Sequence, residues 1–518
     1  TAMEVELKLL LDPQHAAQVR EHPLLAQYAT GEPLLLAMHD VYVDTPDLQL
    51  CRHQAGLRVR QIEGSWVQTL KAGGSVRGGL HSRHEWESEV DGPQVQLDAL
   101  DALIKGKQPV RALLRRKAIR QGLHTVFSTR IERTAWQLAT PEGDLVECVL
   151  DQGVIEHGSA DSMRSVPVSE IELELKSGRP AALFEIALAL LQEVPLRIGQ
   201  MSKAERGYRL AAGMPVKAVK AQPLTLKGKL SVQQGFQAIA ANCLEQISAN
   251  QDGVAGGEDV ESLHQMRVGL RRLRSALSLF KPLLALPDDL QADLDWLVGK
   301  LGAARDWDVL AGDTLKSCEG EGDADMLAPL TEAAREQARA AHAQAAVALA
   351  DSRYTQLMLA LQRWLLAGGW RDGSTPRQRR ELEQPLPRFA RQALRQRQRR
   401  LRKRGKLLSG GTPDQRHQIR IAAKKARYAA EFFASLFSDG KVRAYVKPLS
   451  GLQDVLGVLN DSQVADGLLH ELAEERPPLQ APASFVRGYL AARAHARLGD
   501  ARGLQRAWQR FKAARLPR

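Results

Sequence analysis

The 518-residue sequence is poor in cysteine, in aromatic residues and in long apolar runs. Its four cysteines (Cys51, Cys148, Cys243 and Cys318) lie far apart and form no Cys-x-x-Cys pair. That excludes a zinc ribbon, offers no disulfide framework and points to a reducing compartment. No stretch of about 18 apolar residues occurs, so no transmembrane helix and no membrane partner are expected. The chain opens on Met3-Glu4-Val5-Glu6 and not on a basic-then-apolar leader, so the expected location is cytoplasmic. There is no phosphate-binding P-loop, no Ser-His-Asp set and no cysteine with an obvious base, so covalent catalysis is not indicated. The dense basic stretch from Arg388 to Lys406 has few aromatics interleaved for stacking on bases, which makes nucleic acid the weaker of the possible partners.

What is present is ordinary globular material, 44% hydrophobic and 25% charged, with length for roughly three to four units. Charge is distributed unevenly. Residues 1–210 hold 24 Lys+Arg against 28 Asp+Glu, and residues 211–518 hold 48 against 32. The second half therefore suits a polyanion partner.

Short segments of the first half alternate with period two: 4–8, 56–60, 66–71, 84–89, 146–150 and 169–175. Turn residues such as Gly73-Gly74 and Gly143-Asp144 separate many of them. This pattern predicts an antiparallel sheet or barrel with a few added helices, one of them over 180–193. Side chains at i, i+2 and i+4 of a strand share a face. Glu4, Glu6 and Lys8 form one such set, Arg58 and Arg60 a second, Glu85, Glu87 and Glu89 a third, and Glu170, Glu172 and Glu174 a fourth. On a single strand this reads as a solvated face. Four strands of paired like charges argue for more, because adjacent carboxylates repel unless a cation with oxygen ligands sits among them. Clustered Arg and Lys are relieved in the same way by an anion. Both clusters inside one closed sheet would suit a metal-bound polyphosphate.

These residues resemble the signature of the CYTH, or triphosphate tunnel metalloenzyme, superfamily. The set runs in order: Glu4-x-Glu6-x-Lys8, Gly-Leu-Arg58-Val-Arg60, Thr-Leu-Lys71, Arg83-His-Glu85-Trp-Glu87, Arg133 ahead of Trp136, Leu150-Asp151-Gln-Gly153, Glu170-Ile-Glu172 and Ser202-Lys203. The resemblance covers about residues 3–210. It implies an eight-stranded antiparallel β tunnel with flanking helices that binds triphosphate with Mg2+ or Mn2+. It further implies Glu4, Glu6, Glu170 and Glu172 as metal-binding acids. Glu85, Glu87 and Asp151 would be further acids supporting metal or attacking water. Lys8, Arg58, Arg60, Lys71, Arg133 and Lys203 would form the phosphate cradle. The implied reaction is hydrolysis of inorganic triphosphate to pyrophosphate and phosphate, driven by positioning and electrostatic stabilisation. The catalytic set would be Glu4, Glu6, Lys8, Glu85, Glu87 and Asp151.

Residues 211–225 have little hydrophobic periodicity and read as a linker. Beyond them the pattern is helical, and it contains an internal repeat. His264-Gln-Met-Arg267-Val-Gly-Leu-Arg271-Arg272-Leu-Arg274 is matched by His417-Gln-Ile-Arg420-Ile-Ala-Ala-Lys424-Lys425-Ala-Arg427. A Leu-Gly-x-x-x-Asp segment follows each, at Leu301–Asp306 and Leu456–Asp461. At about 100° per residue, His264, Arg267, Arg271 and Arg274 fall within one stripe, as do His417, Arg420, Lys424 and Arg427. These stripes lack the glutamates at i±4 that would relieve their repulsion, which favours an anion-binding role over a solvated face. They resemble a CHAD domain, whose members bind inorganic polyphosphate. The resemblance covers about residues 226–475 of a helical domain spanning 226–518. It implies a C-terminal all-α pseudo-symmetric pair of four-helix bundles, with these eight residues lining a basic groove for long-chain polyphosphate. Alternatives stay open: hydrolysis or cyclisation of an organic triphosphate such as thiamine triphosphate or ATP, a non-catalytic polyphosphate-binding scaffold, or a nucleic-acid binder.

Overall fold

The computed structural model describes residues 3–77, 80–257, 259–320, 324–408, 410–499 and 501–517. By internal contacts the chain forms two units. One comprises Thr1–Lys217 with Ala350–Ala367, and the other Ala218–Leu349 with Gly368–Arg518.

In the first unit eight strands close an antiparallel barrel: β1 (Met3–Leu10), β2 (Leu34–Asp44), β3 (Ala55–Ile62), β4 (Ser65–Arg77), β5 (Leu80–Val90), β6 (His124–Ala139), β7 (Leu145–His157) and β8 (Arg164–Ser177). The order around the ring is β5-β4-β3-β2-β6-β7-β8-β1, and pairing of β1 with β5 closes it. A two-residue strand, β9 (Arg197–Ile198), adds to β1. The expected alternating segments lie within β1, β3, β4, β5, β7 and β8. β2 and β6 escape that reading, because β2 begins on Leu34-Leu35-Leu36, which hides its period.

The barrel turns the usual distribution of polarity around. Its outer face is apolar and covered: Leu57, Leu70 and Trp86 pack with Leu100, Leu113 and Ile119 of short helices. The charged sets face inward. At one part of the interior Tyr42, Phe127, Ile155, Val168 and Tyr208 form an apolar cluster. Tyr208 comes from helix α2 (Lys203–Ala212), which follows helix α1 (Ala181–Leu191). In α1 nine of eleven residues are buried, so no side of it is free for water. It lies against β1 and β8, and it needs a second cover.

Residues 214–227 form neither helix nor strand. The remaining long helices are α3 (Val232–Ala249), α4 (Val260–Phe280), α5 (Asp288–Asp308), α6 (Ala324–Ala350), α7 (Ser352–Ala367), α8 (Leu386–Gly405), α9 (Pro413–Phe432), α10 (Asp439–Glu475), α11 (Gln480–Gly499) and α12 (Ala501–Ala513). Ser231 and Thr412 start α3 and α9 with capping boxes, which satisfy backbone N–H groups that the first turn leaves unpaired. The second cover for α1 is α7, which packs on α1 and on β9 and so belongs to the barrel unit although it lies deep in the second half of the chain. The helical unit pairs α4 with α3, α5 and α9, and α9 with α8 and α10. No helix among the described residues is long and apolar enough to cross a membrane.

Candidate functional sites

Strand register assembles the interior of the barrel. Residues opposite one another in an antiparallel pair share a face. Lys8 stands opposite Glu172, Glu170 opposite Asp151, and Asp151 opposite Arg133. Continuing round, Asp40 stands opposite Arg60, Arg58 opposite Thr69, Thr69 opposite Glu87, and Lys71 opposite Glu85. One ring of strands therefore carries all these side chains on its inner wall.

The acidic wall is densely paired. Arg133 forks onto both oxygens of Asp151 at 2.7 Å and reaches Glu172 at 3.2 Å. Lys8 lies 2.9 Å from Glu6 and donates to Glu172. Helix α2 begins at a Ser202–Glu205 capping box, and its first residue, Lys203, points into the same wall. The Lys203 ammonium is 2.7 Å from Asp151 and 2.9 Å from Glu172, and it also bonds Glu170. Arg206, one turn on, donates to the other oxygen of Glu170. Oxygens of Asp151, Glu170 and Glu172 all lie within 4.8 Å of one another. Three oxygen-bearing side chains so grouped fit a hard divalent cation, and the Lys203 ammonium stands among the same three.

The electrostatics follow from burial and pairing. Burial opposes the charge on Lys8, but Glu172, Glu6 and Glu170 outweigh it and hold its ammonium above the ordinary range. Lys203 is raised likewise, burial again being overcome by Asp151, Glu170 and Glu172. Burial alone would push the Asp151 and Glu172 carboxyls up. Lys203 is the strongest of the cations that hold both below the usual carboxylate range. Pairing thus favours the charged forms of Lys8, Lys203, Asp151 and Glu172, and removing one partner would leave an uncompensated buried charge.

The opposite wall is cationic. Asp40 accepts a fork from Arg60 at 2.7 and 2.8 Å and a bond from Arg58 at 3.2 Å. Burial works against its charge, yet Arg58 and Arg60 bring its carboxyl down to about 2. Lys71 lies 3.5 Å from Glu85, and Thr69 donates to Glu87 at 3.1 Å. Arg83 faces inward too, 3.4 Å from Glu205. His81 stands opposite Glu6, and its imidazole is pushed down to about 4 by burial and then by Lys8. The backbone of Glu4 pairs with Arg83 in the β1–β5 ladder, and its side chain lies outside the described residues.

In the helical unit the two stripes meet through contact of α4 with α9. Arg267 donates to the carbonyls of Leu301 at 3.0 Å and Gly302 at 2.5 Å, so this cation is largely spent on holding α5. Burial lowers its guanidinium to about 10. Arg271, Arg420 and Lys424 crowd together. Burial and then Arg420 and Arg271 push the Lys424 amine down to about 7. Asp306 of the first Leu-Gly segment is held up by burial, with Asp461 of the second adding to the shift, which places the two segments near each other. His264 is half-buried, and burial and Arg305 lower its imidazole. His417 lies 2.9 Å from the Asn460 side-chain oxygen. Arg274 lies 3.4 Å from Asp295, and Arg427 lies 3.6 Å from Glu431 four residues on, so the second stripe, contrary to expectation, has one relieving glutamate at i+4.

Two family models match this chain: the CYTH domain over residues 2–208 and the CHAD domain over residues 238–470. The chain carries a CYTH domain followed by a CHAD domain. The inorganic triphosphatase of Haemophilus influenzae is 34% identical over 210 residues, 40% of this chain and 55% of that protein. The chain thus spans about half the length of that curated relative. A CHAD domain from the plant Ricinus communis is 39% identical, with 58% of this chain and 99% of that one covered and a TM-score of 0.53. A Hippeastrum protein named as an adenylyl cyclase with a dominant triphosphatase activity is similar at 19% identity, with 41% of this chain and 96% of that one covered and a TM-score of 0.29.

Two residues of the CYTH interior lay beyond sequence reasoning. Asp40 organises Arg58 and Arg60, and its signal was an acid among the alternating residues Met38, Asp40, Tyr42 and Asp44, all buried on one side of β2. Arg206 sits one helical turn beyond Lys203, a spacing that a capped Ser-Lys-Ala-Glu-Arg start makes visible.

Proposed function

We propose that the CYTH domain hydrolyses inorganic triphosphate to pyrophosphate and phosphate with Mg2+ or Mn2+, and that the CHAD domain binds long-chain polyphosphate. The first reading is carried by one observation: a ring of inward carboxylates and cations inside a closed barrel, with Asp151, Glu170 and Glu172 gathered within 4.8 Å. The Haemophilus relative, an inorganic triphosphatase by name, supports it. Glu170 and Glu172, with Glu4, Glu6 and Asp151, are the acids that would hold the metal. When bound, the metal would neutralise charge on phosphoryl oxygens as a Lewis acid. Arg58, Arg60, Arg133, Lys8 and Lys71 would grip the equatorial oxygens and stabilise the negative charge that builds on the leaving phosphate. Glu85 and Glu87 would orient the attacking water and take its proton. Lys203, now bonded to three carboxylates, would turn to substrate once these are shared with a metal.

The test is phosphate release by the full chain from inorganic triphosphate, ATP and thiamine triphosphate, with Mg2+, Mn2+ or EDTA. Inorganic triphosphate should be the fastest substrate, and EDTA should abolish release. Glu172→Gln and Arg133→Ala should each lower kcat/KM by about a hundredfold or more. Release that survives both EDTA and Glu172→Gln would sink this reading, and a preference for an organic triphosphate would reassign the substrate.

The polyphosphate reading of the helical unit rests on Arg271, Arg420 and Lys424, three crowded cations contributed by both repeats. With His264, Arg267, Arg274, His417 and Arg427 they would present the chain with a graded basic surface. Arg267 would chiefly position α5.

A further inference from the structure

The two copies of the helical repeat part company at one position, and that difference points to a second place of anion binding. In the first copy Arg272 is satisfied. It donates to the Gln246 side-chain oxygen at 2.8 Å and to that of Asn242 at 2.7 Å, and it lies over the Phe432 ring at 5.7 Å. Among the described residues its counterpart in the second copy, Lys425, has no such partners. The charges acting most strongly on it are all cations: Arg397, Arg404 and Arg400 of α8 and Arg274 of α4.

Arg397, Arg400 and Arg404 occupy positions i, i+3 and i+7 of α8 and so share one face. Arg397 is only 6% exposed, and it donates to Ser278 of α4 at 3.3 Å. Among the described residues no carboxylate pairs with Arg397, Arg400, Arg404 or Lys425; Arg404 donates to the Gln418 carbonyl at 3.3 Å, and Arg274 lies 3.4 Å from Asp295. A surface arginine run would explain Arg400 and Arg404. It does not explain a buried guanidinium without a counter-charge, since burying an unpaired cation is costly. An anion removes that cost, and a phosphoryl chain matches the guanidinium fork.

We propose that Arg397, Arg400 and Arg404 of α8, with Lys425 and Arg274, form a second phosphoryl subsite, so that the helical unit grips one polyphosphate chain at two consecutive places. This rests on the polyphosphate reading given above. Lys424 and Lys425 are neighbours on α9, so the two subsites adjoin and a long linear polyanion can run from one to the other. Among the described residues, the Trp508 ring against Gly405 is buried and packs on Phe511, and Phe389, Phe433 and Phe280 pack on each other.

Binding of long-chain polyphosphate to the full chain in EDTA, over a range of salt concentrations, tests it. Arg400 and Arg404 are exposed, so the double variant Arg400→Gln/Arg404→Gln should fold as the parent does, checked by its melting curve. It should weaken binding roughly tenfold. It should also reduce the salt slope by about two. Arg271→Gln/Lys424→Gln, in the first cluster, should weaken binding independently, and the combined variant should show the product of both losses. If Arg400→Gln/Arg404→Gln binds like the parent with the same salt slope while Arg271→Gln/Lys424→Gln weakens, the second subsite is wrong and the polyphosphate reading stands. If the parent binds no polyphosphate, both fall. If single-stranded DNA of matched charge displaces polyphosphate, the ligand class is wrong.

Discussion

Asp40 has the simplest energetics of any ionised residue in the interior, because its partners are two arginines that do not titrate. Its carboxyl is about 2 in the folded protein against an ordinary value near 3.8, so its pairing stabilises the fold above pH ~4. That contribution, on the order of 2 kcal/mol, should fade as pH falls from about 4 through about 2. Denaturant unfolding of the parent and of Asp40→Asn across this range should converge at the acid end. A gap that stays constant would show that Asp40 acts through packing and not through charge. Lys424 works in the opposite sense. Its amine is pushed down to about 7 by burial, by Arg420 and Arg427 on its own helix and by Arg271 of α4, with Asp461 of α10 opposing. A lowered lysine penalises the fold most below its folded value, and the penalty is relieved as pH rises from about 7 toward the ordinary 10.5. An arriving polyanion favours the charged amine. At pH 8 binding should therefore take up close to one proton, visible as a difference in calorimetric heat between HEPES and Tris buffers. Affinity should fall as pH rises above about 7, and Lys424→Arg should remove both effects.

Among the elements, α2 does the most with the least sequence. It starts at a capping box, ends at Gly213 with φ 61°, and between them aims Lys203 and Arg206 at the acidic wall. Gly207 lets it sit that close, since a Cβ there would lie 2.1 Å from the Phe127 ring. Phe127 is itself held by Tyr42 at 4.4 Å and Tyr208 at 5.2 Å between centroids, so it has little room to give. Gly207→Ala should therefore cost about 1–3 kcal/mol through overpacking, and it should lower triphosphatase activity by displacing Lys203. Thermal melting with a parallel activity assay checks this. An alanine that leaves both untouched would mean the helix slides without loss. The strands illustrate what period two can say. It put Arg58 with Arg60 and Glu170 with Glu172 on one face each. It was silent on which face met which, because register depends on the closure of the ring.

For the whole molecule, the consequential fact is that α7 serves the barrel unit. It covers α1 and touches β9, and β9 pairs with β1 next to Lys8, whose carbonyl accepts from the Gly199 N–H at 2.9 Å. A charge in α7 should therefore be felt in the CYTH domain. Leu361→Asp, at a residue 3% exposed, should destabilise by about 2–5 kcal/mol. Hydrogen exchange should show the loosening in α1 and β1. Faster exchange confined to the helical unit would refute that. By itself the sequence determined the class of each half, which charged residues of a strand share a face and the twofold repeat of the basic helices. Those are properties of short periods and of composition, and they survive without knowing any neighbour. Only the tertiary structure decided that Asp40 holds Arg58 and Arg60, that Arg206 joins Lys203 on Glu170, that Arg267 is spent on backbone carbonyls, and that α7 belongs to the barrel unit. Each of these is a contact between residues far apart in the chain. A charge pattern tells which side chains share a face, but their direction and partners are set by how strands close and helices pack.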